Sequence, residues 1–272
     1  MRIKNLKFWN KLIIIGSLIL NGCGTLARYK EIKPEKIERV ELKKPIPELR
    51  IGEKLTYEVY WMKMPVGIAT AEVKDLVEIN GRKVYHLVGT ARSNKWLNMI
   101  FKVDDYAESF LDKENLVSIK HIAIRNEGRY HAHMISEYDW QNKILKFKNL
   151  VDGTDKIFPL PVEAVDEFSA FYYFRIKEIS LNKPLEFFVN QVEKNWLVKI
   201  GIASFGKANI PGVGVFDSFK IVPWLELENK PLDKGQAWVW VSNDERRIPL
   251  MIKLRVDIPI IGTVLAVLRK IE

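Results

Sequence analysis

Four polar residues recur three apart in one stretch of the chain: Asp166, Ser169, Tyr172 and Arg175. On a helix of 3.6 residues per turn they trace a slow spiral of roughly 60° per step, not one stripe. An aspartate near the head of such a helix can cap it or pair with an arginine of a neighbouring strand. Arg175 has the forked guanidinium that holds a carboxylate or a phosphate. Two readings follow. Tyr172 and Arg175 bind a ligand, or all four anchor a helix to a sheet through buried hydrogen bonds, the role expected of Asp166 and Ser169.

Metal and nucleophile chemistry find less support. His131 and His133 share one face of a strand with Arg129 and Glu137, and His121 on the neighbouring strand is a candidate third ligand. His-x-His can chelate a metal. No carboxylate stands at a recognisable ligand spacing, so a solvated face and no metal are expected. The chain has one cysteine, Cys23, and no Gly-x-Ser-x-Gly elbow. Ile210-Pro211-Gly212-Val213-Gly214 lacks the Lys-Ser/Thr pair of a phosphate loop and reads as a turn. Acidic residues are plentiful, yet nothing selects two of them for glycoside hydrolysis. The expectation is a protein with no catalytic residues and no cofactor.

Apolar spacing is more informative. Gly67, Ala69 and Ala71 form a small-residue face beside a strand carrying Tyr57 and Trp61. Small opposite large fills a tapered barrel, and it also leaves a groove for an acyl chain. Trp61, Gly67 and Ala69 are therefore candidate ligand contacts. The chain holds eight tryptophans. Trp238 and Trp240 share a strand face, where they serve either as core or, for Trp240, as a platform for a sugar ring or a lipid interface. Asp244 and Arg247 are expected to tie together the turn before Pro249.

These residues need elements to position them. From Ile51 onward the hydrophobic period is two. Leu55, Tyr57, Val59 and Trp61 alternate with Lys54, Thr56, Glu58 and Tyr60, and a turn at Met64-Pro65 precedes Gly67 to Val73. Asn80-Gly81 is a hairpin signal. Segments 84–91, 101–110, 116–125, 129–138 and 144–150 continue a meander, and Leu250 to Ile258 alternate again. Pro161 to Ile179 departs from this pattern and predicts a helix, acidic early and basic late. The sum is about eleven to thirteen strands and one main helix. That much antiparallel sheet must curl, close or split. The fold expected is mainly β: a large curved antiparallel sheet or barrel with the helix packed on its concave side.

The first 50 residues are different material. Arg2, Lys4, Lys7 and Lys11 precede an apolar run from Leu12 to Leu20, too short to span a bilayer. Leu20-Asn21-Gly22-Cys23 resembles the lipobox of bacterial lipoproteins. That resemblance implies cleavage before Cys23, acylation of its thiol and amine, and a membrane anchor made of several chains. Gly24, in place of an Asp that retains enteric lipoproteins, implies the outer membrane, facing the periplasm. Loss of residues 1–22, with four basic and no acidic residues, takes the net charge from +9 to +5, so basicity is no argument for nucleic acid. Residues 23–50 read as a charged tether: 13 of the 23 residues from Arg28 to Arg50 are charged. Residues 51–272 read as a single β-rich domain.

Four patches carry a further resemblance: Gly52-Glu53-x-Leu55-x-Tyr57 with Gly67-x-Ala69; Glu127-Gly128 with Asp139; Asp166-x-x-Ser169-x-x-Tyr172-x-x-Arg175; and Trp240-x-Ser242-x-Asp244-x-x-Arg247-x-Pro249 with Gly262. In this order they resemble the exported bacterial family called domain of unknown function 3108, over roughly residues 50–270. The resemblance implies an exported β-rich domain and brings no activity. By fold analogy it suggests kinship with the half-barrels of lipoprotein carriers and with calycin-like barrels, which does not fix function. Three functions are expected in order: a binding module for a lipid or other apolar envelope ligand, an assembly lipoprotein contacting an envelope protein partner, and an enzyme acting on envelope glycan.

Overall fold

The computed structural model describes residues 41–231, 235–256 and 262–272. The expected signal peptide, Cys23 and the tether up to residue 40 lie outside the described residues. Sixteen strands follow in chain order: β1 (Lys54–Trp61), β2 (Met64–Ile79), β3 (Arg82–Ser93), β4 (Asp104–Asp112), β5 (Ser118–Glu127), β6 (Tyr130–Asp139), β7 (Ile144–Asn149), β8 (Thr154–Pro159), β9 (Val165–Asp166), β10 (Leu185–Gln191), β11 (Lys194–Ile210), β12 (Gly214–Leu227), β13 (Lys230–Pro231), β14 (Gln236–Ser242), β15 (Pro249–Val256) and β16 (Gly262–Ile271). Two short helices accompany them, α1 (Lys95–Asn98) and α2 (Ala170–Ile176).

The alternation read from the sequence becomes the two faces of one sheet. Leu55 and Tyr57 turn inward and are buried, while their neighbours face out. Asn80 and Gly81 both take positive φ (52° and 77°), the geometry of a two-residue hairpin turn. The turn expected at Met64-Pro65 lies two residues earlier. Met62 and Lys63 adopt positive φ (49° and 70°), and Met64 and Pro65 already pair with Trp61 and Tyr60. Proline has no N–H to give the ladder, and the register slips beside it, between Val59 and Tyr60.

The strands form one path, β8-β7-β6-β5-β4-β3-β2-β1-β16-β15-β14-β12-β11-β10-β9, with β13 paired to β12. Nearly every junction is antiparallel; β9 runs parallel to β10. The path curls back on itself. Ser118 N–H at the head of β5 donates to the Ala164 carbonyl just before β9 (3.2 Å), and Tyr138 Oη on β6 donates to Asn190 Oδ1 on β10 (3.1 Å). β7 and β8 run on past this seam over a small core of Tyr138, Leu145 and Leu160. The sheet is therefore an open curved barrel, not a closed one.

The helix expected over 161–179 is confined to Ala170–Ile176. Its early part is drawn into the sheet as β9, where Val165 and Asp166 pair with Val189 and Asn190. The Asp166 carboxylate then takes the N–H groups of Phe168 and Ser169 (2.9 and 2.8 Å). Lys177 leaves the helix with extended backbone. What remains lies inside the curve, and Phe168, Tyr172 and Ile176 join the larger core cluster.

Candidate ligand cavity

The small-residue face continues from β2 onto β3. Ala69 pairs with Ala91 and Ala71 with Gly89. A Cβ on Gly89 would stand 2.7 Å from the Phe168 ring, closer than carbon atoms pack. Missing side chains on the sheet thus admit the aromatic residues of the α2 segment. Phe168, Phe171 and Phe174 form one wall, and Trp196, Val198 and Leu254 stand among those on the far side. Between them is a cavity of about 170 Å³.

Its lining is almost wholly apolar, with Tyr57, Thr70, Thr90 and Glu167 the exceptions. The Tyr57 hydroxyl is committed to the Pro249 carbonyl (2.8 Å), and burial holds its pKa well above the usual phenol value. One end of the barrel is shut by a buried charge cluster. Arg175 Nη2 and Arg246 Nη2 both pair with the Glu53 carboxylate, at 2.6 and 2.7 Å, and Arg175 also donates to the Arg246 carbonyl (3.2 Å). Glu53 and Arg175 are 2% and 3% exposed, so nothing passes there. Ala91, Pro223 and Leu225, lining residues toward the other end, keep partial exposure, and we take that end as the mouth.

A polar corner adjoins the cavity at Glu167. Its carboxylate pairs with Arg125 Nη2 (3.2 Å), and His121 Nε2 lies 3.8 Å away. Ser109, His121 and Asp166 meet behind it without forming a catalytic relay. Ser109 Oγ donates to Asp166 Oδ1 (2.7 Å), and both oxygens face the same His121 nitrogen, Nδ1, at 2.9 and 3.4 Å. A nucleophile and its acid partner belong on opposite nitrogens of the imidazole. Asp166 instead gathers Ser109, Ser118 (2.5 Å) and Ser169 (2.7 Å) as donors, tying β4, β5 and α2 together across the seam.

Of the residues singled out in the sequence, Ala69 lines the cavity and Trp61, Gly67, Tyr172, Arg175 and Trp240 are not among its lining. Gly67 lets β2 approach β3 where a Cβ would meet the Arg92 carbonyl at 2.2 Å. Tyr172 is fully buried with its ring edge-on to Phe168 and Phe171, and its hydroxyl has no hydrogen-bond partner. Arg175 holds a carboxylate of its own chain. Trp61 is half-buried at the far end of β1, opposite Met64 and Val264.

Trp238 and Trp240 are on the outer face, not in the core. Lys253 and Arg255 lie over Trp238 (5.4 and 5.9 Å), and Lys220 over Trp240 (6.0 Å). Asp244 accepts the N–H groups of Arg246 and Arg247 (2.9 and 3.0 Å) and so holds its turn. The Arg247 side chain reaches out of that turn to the carbonyls of Lys177 and Lys43 (2.6 and 3.1 Å). His131 is exposed and bonded to Asn126 (2.9 Å), whereas His121 points inward to Asp166. Among the described residues no three His, Cys, Asp or Glu side chains gather as a metal site.

Sequence reasoning passed over Gly89, Glu167 and Phe168. A lone glycine inside the Val84 to Ala91 strand was the available signal, since such a glycine marks a close approach.

A curved, incompletely closed β-barrel with a short internal helix and an apolar cavity defines the class. The chain belongs to the family described as protein of unknown function DUF3108, whose model matches residues 56–269. Among solved structures it is similar to a beta-barrel-like protein of domain of unknown function DUF1849 from Brucella abortus. The identity is 6% and the TM-score 0.56, over 82% of this chain and 98% of that one. This likeness supports the barrel architecture alone. Looser similarity links it to an exported protein with YmcC-like fold from Bacteroides fragilis (10% identity, TM-score 0.31, 85% and 99% covered). A lipoprotein from Parabacteroides distasonis stands at the same distance (9% identity, TM-score 0.32, 84% and 97% covered). No curated protein matches the chain in sequence.

Proposed function

We propose that this is a non-catalytic protein of the bacterial envelope that takes the apolar part of a lipid or similar envelope ligand into its cavity. The observation that carries the reading is the cavity itself, about 170 Å³ with an almost wholly apolar lining. Empty apolar cavities near 150 Å³ stay dry and accept a benzene-sized guest. The resting cavity thus suits a ring or a short alkyl segment. The remainder of a longer chain would lead out past Ala91 and Leu225. Each buried methylene contributes about 0.8 kcal/mol. The crossed use of one imidazole nitrogen by Ser109 and Asp166 supports the non-catalytic part of the proposal. The N-terminal segment supplies the location: a lipid on Cys23 would hold the domain at the outer membrane, facing the periplasm.

Native mass spectrometry tests the reading on chain from residue 24 onward, secreted without Cys23 and never exposed to detergent. A reproducible extra mass identified as an acyl-bearing species is expected, and Ala69→Trp, which fills the cavity, should abolish it while circular dichroism stays unchanged. A bare mass that persists after incubation with phospholipids and fatty acids would overturn it.

A further inference from the structure

The end of the barrel that carries Ala91 also exposes a set of apolar side chains, on the β1–β2 turn and on α1 just after β3. Met62 and Met64 flank the β1–β2 turn, and Ile68 follows on β2; they are 50%, 42% and 54% exposed. Trp96, Met99 and Ile100, in and just after α1, are 39%, 78% and 68% exposed. Asn94 fastens the two groups together, giving its N–H to the Val66 carbonyl (2.7 Å) and its side-chain amide to the Pro65 carbonyl (2.7 Å). Single exposed apolar residues need no explanation, but a contiguous set does.

Cations border this patch. Lys63, Lys95 and Lys102 are all exposed, and none of them is drawn into an ion pair among the described residues. Among the described residues the nearby carboxylates are spent or hidden. Asp104 is paired with Arg92 (3.1 Å), and Asp105 and Glu127 are each 1% exposed. Long apolar side chains on two projecting turns, with a tryptophan and free lysines around them, match the interfacial region of a bilayer with acidic headgroups. A flat protein partner would leave the lysines needing acceptors at fixed places; a fluid anionic surface supplies them anywhere.

We propose that the β1–β2 turn and α1 together dip into an acidic lipid surface and so place the cavity mouth against it. Docking does not depend on the cavity being filled, so it goes beyond the ligand reading and can fail separately from it.

The test is local fluorescence in the full chain carrying Cys23→Ser, with an environment-sensitive fluorophore on Met99→Cys or, as a control at the exposed start of β12, on Val215→Cys (65% exposed in the wild type). Attachment through the N-terminal residues does not produce a local signal at position 99. Vesicles of phosphatidylglycerol and phosphatidylcholine should shift the emission at 99 to the blue and leave 215 unchanged. Lys63→Glu with Lys95→Glu and Lys102→Glu should raise the lipid needed for half the shift by more than about tenfold. Ala69→Trp should leave the shift intact even if it abolishes ligand uptake. An equal shift at 99 and 215, an equal response to pure phosphatidylcholine, or no shift at 99 would each overturn the proposal. The last would leave the patch to a protein partner.

Discussion

Glu127 is poorly suited to its ionised form. Both its carboxylate oxygens are buried beside Asp105, a second buried carboxyl with which it can share a hydrogen bond only when one of the two is protonated. Burial pushes Glu127 up to about 9, with the Asp105 charge adding to the shift. The folded state therefore binds a proton that the unfolded chain, near 4.5, releases. Stability from this group is full below the unfolded value and drains away as pH rises through the folded one. The thermal midpoint should fall between about pH 5 and 9. Glu127→Gln keeps the shape without the charge, so it should flatten that slope and exceed the wild type at alkaline pH. A parallel slope in the two proteins would refute the assignment. None of this was legible in the sequence, where Glu127 and Gly128 read as a motif and a turn, because Asp105 comes from a different strand.

Among the elements, the strands from β1 to β7 and β15 were legible, β10, β11 and β12 were not read, and the helix was only half legible. Alternation at Leu55 to Trp61 and the turn at Asn80-Gly81 follow from local geometry, which the chain carries in adjacent residues. The stretch from Pro161 to Ile179 is apolar enough for a helix throughout. Its first third is taken by contacts from elsewhere: β10 pairs with Val165 and Asp166, and serines of β4 and β5 satisfy the aspartate. Ala69 could be placed in a small-residue groove from sequence; its wall partners Phe168 and Trp196 could not, because the α2 segment and β11 meet it only through the curl. The helix is also pinned at its other end by Arg175 and Glu53. Removing one partner of a buried pair costs about 3–5 kcal/mol, whereas replacing both with apolar residues can be nearly neutral. Arg246 remains as a second partner for Glu53, so Arg175→Met should cost toward the lower figure. Glu53→Leu, which strands two arginines, should cost more. The double variant, measured by urea unfolding, should be more stable than the Glu53→Leu single variant, and simple additivity would contradict the cluster described here.

For the whole molecule, polarity runs along the barrel axis. One end is closed by charges and by the chain arriving from residue 41, whose Glu41 carbonyl accepts from Asn243 Nδ2 (3.1 Å). The other carries the mouth, the methionines and the lysines. Around the barrel, strength is uneven. The junction of β1 with β16 is a ladder over the length of β1, while the seam beside β9 rests on the Asp166 cluster, the Ser118–Ala164 bond, the Arg125–Glu167 pair and the Tyr138–Asn190 hydrogen bond. Asp166→Ala would leave three serine hydroxyls and two backbone N–H groups short of an acceptor. Amide hydrogen exchange should then quicken first along β9, β10 and the start of β5, with β1 and β16 still protected. Uniform loss of protection would mean that the seam is no weaker than the rest.

That seam has a geometric consequence. A barrel closed by backbone ladders has its girth dictated by strand number and stagger. Here the last step of the circumference is made by side chains and a single backbone bond instead of a ladder, so the bore is not a fixed integer of the fold. The wall can spread or tighten at one longitudinal gap with every ladder intact, as a split ring grips rods of differing width. Internal volume becomes an adjustable dimension, and Asp166 is the catch that sets its resting value.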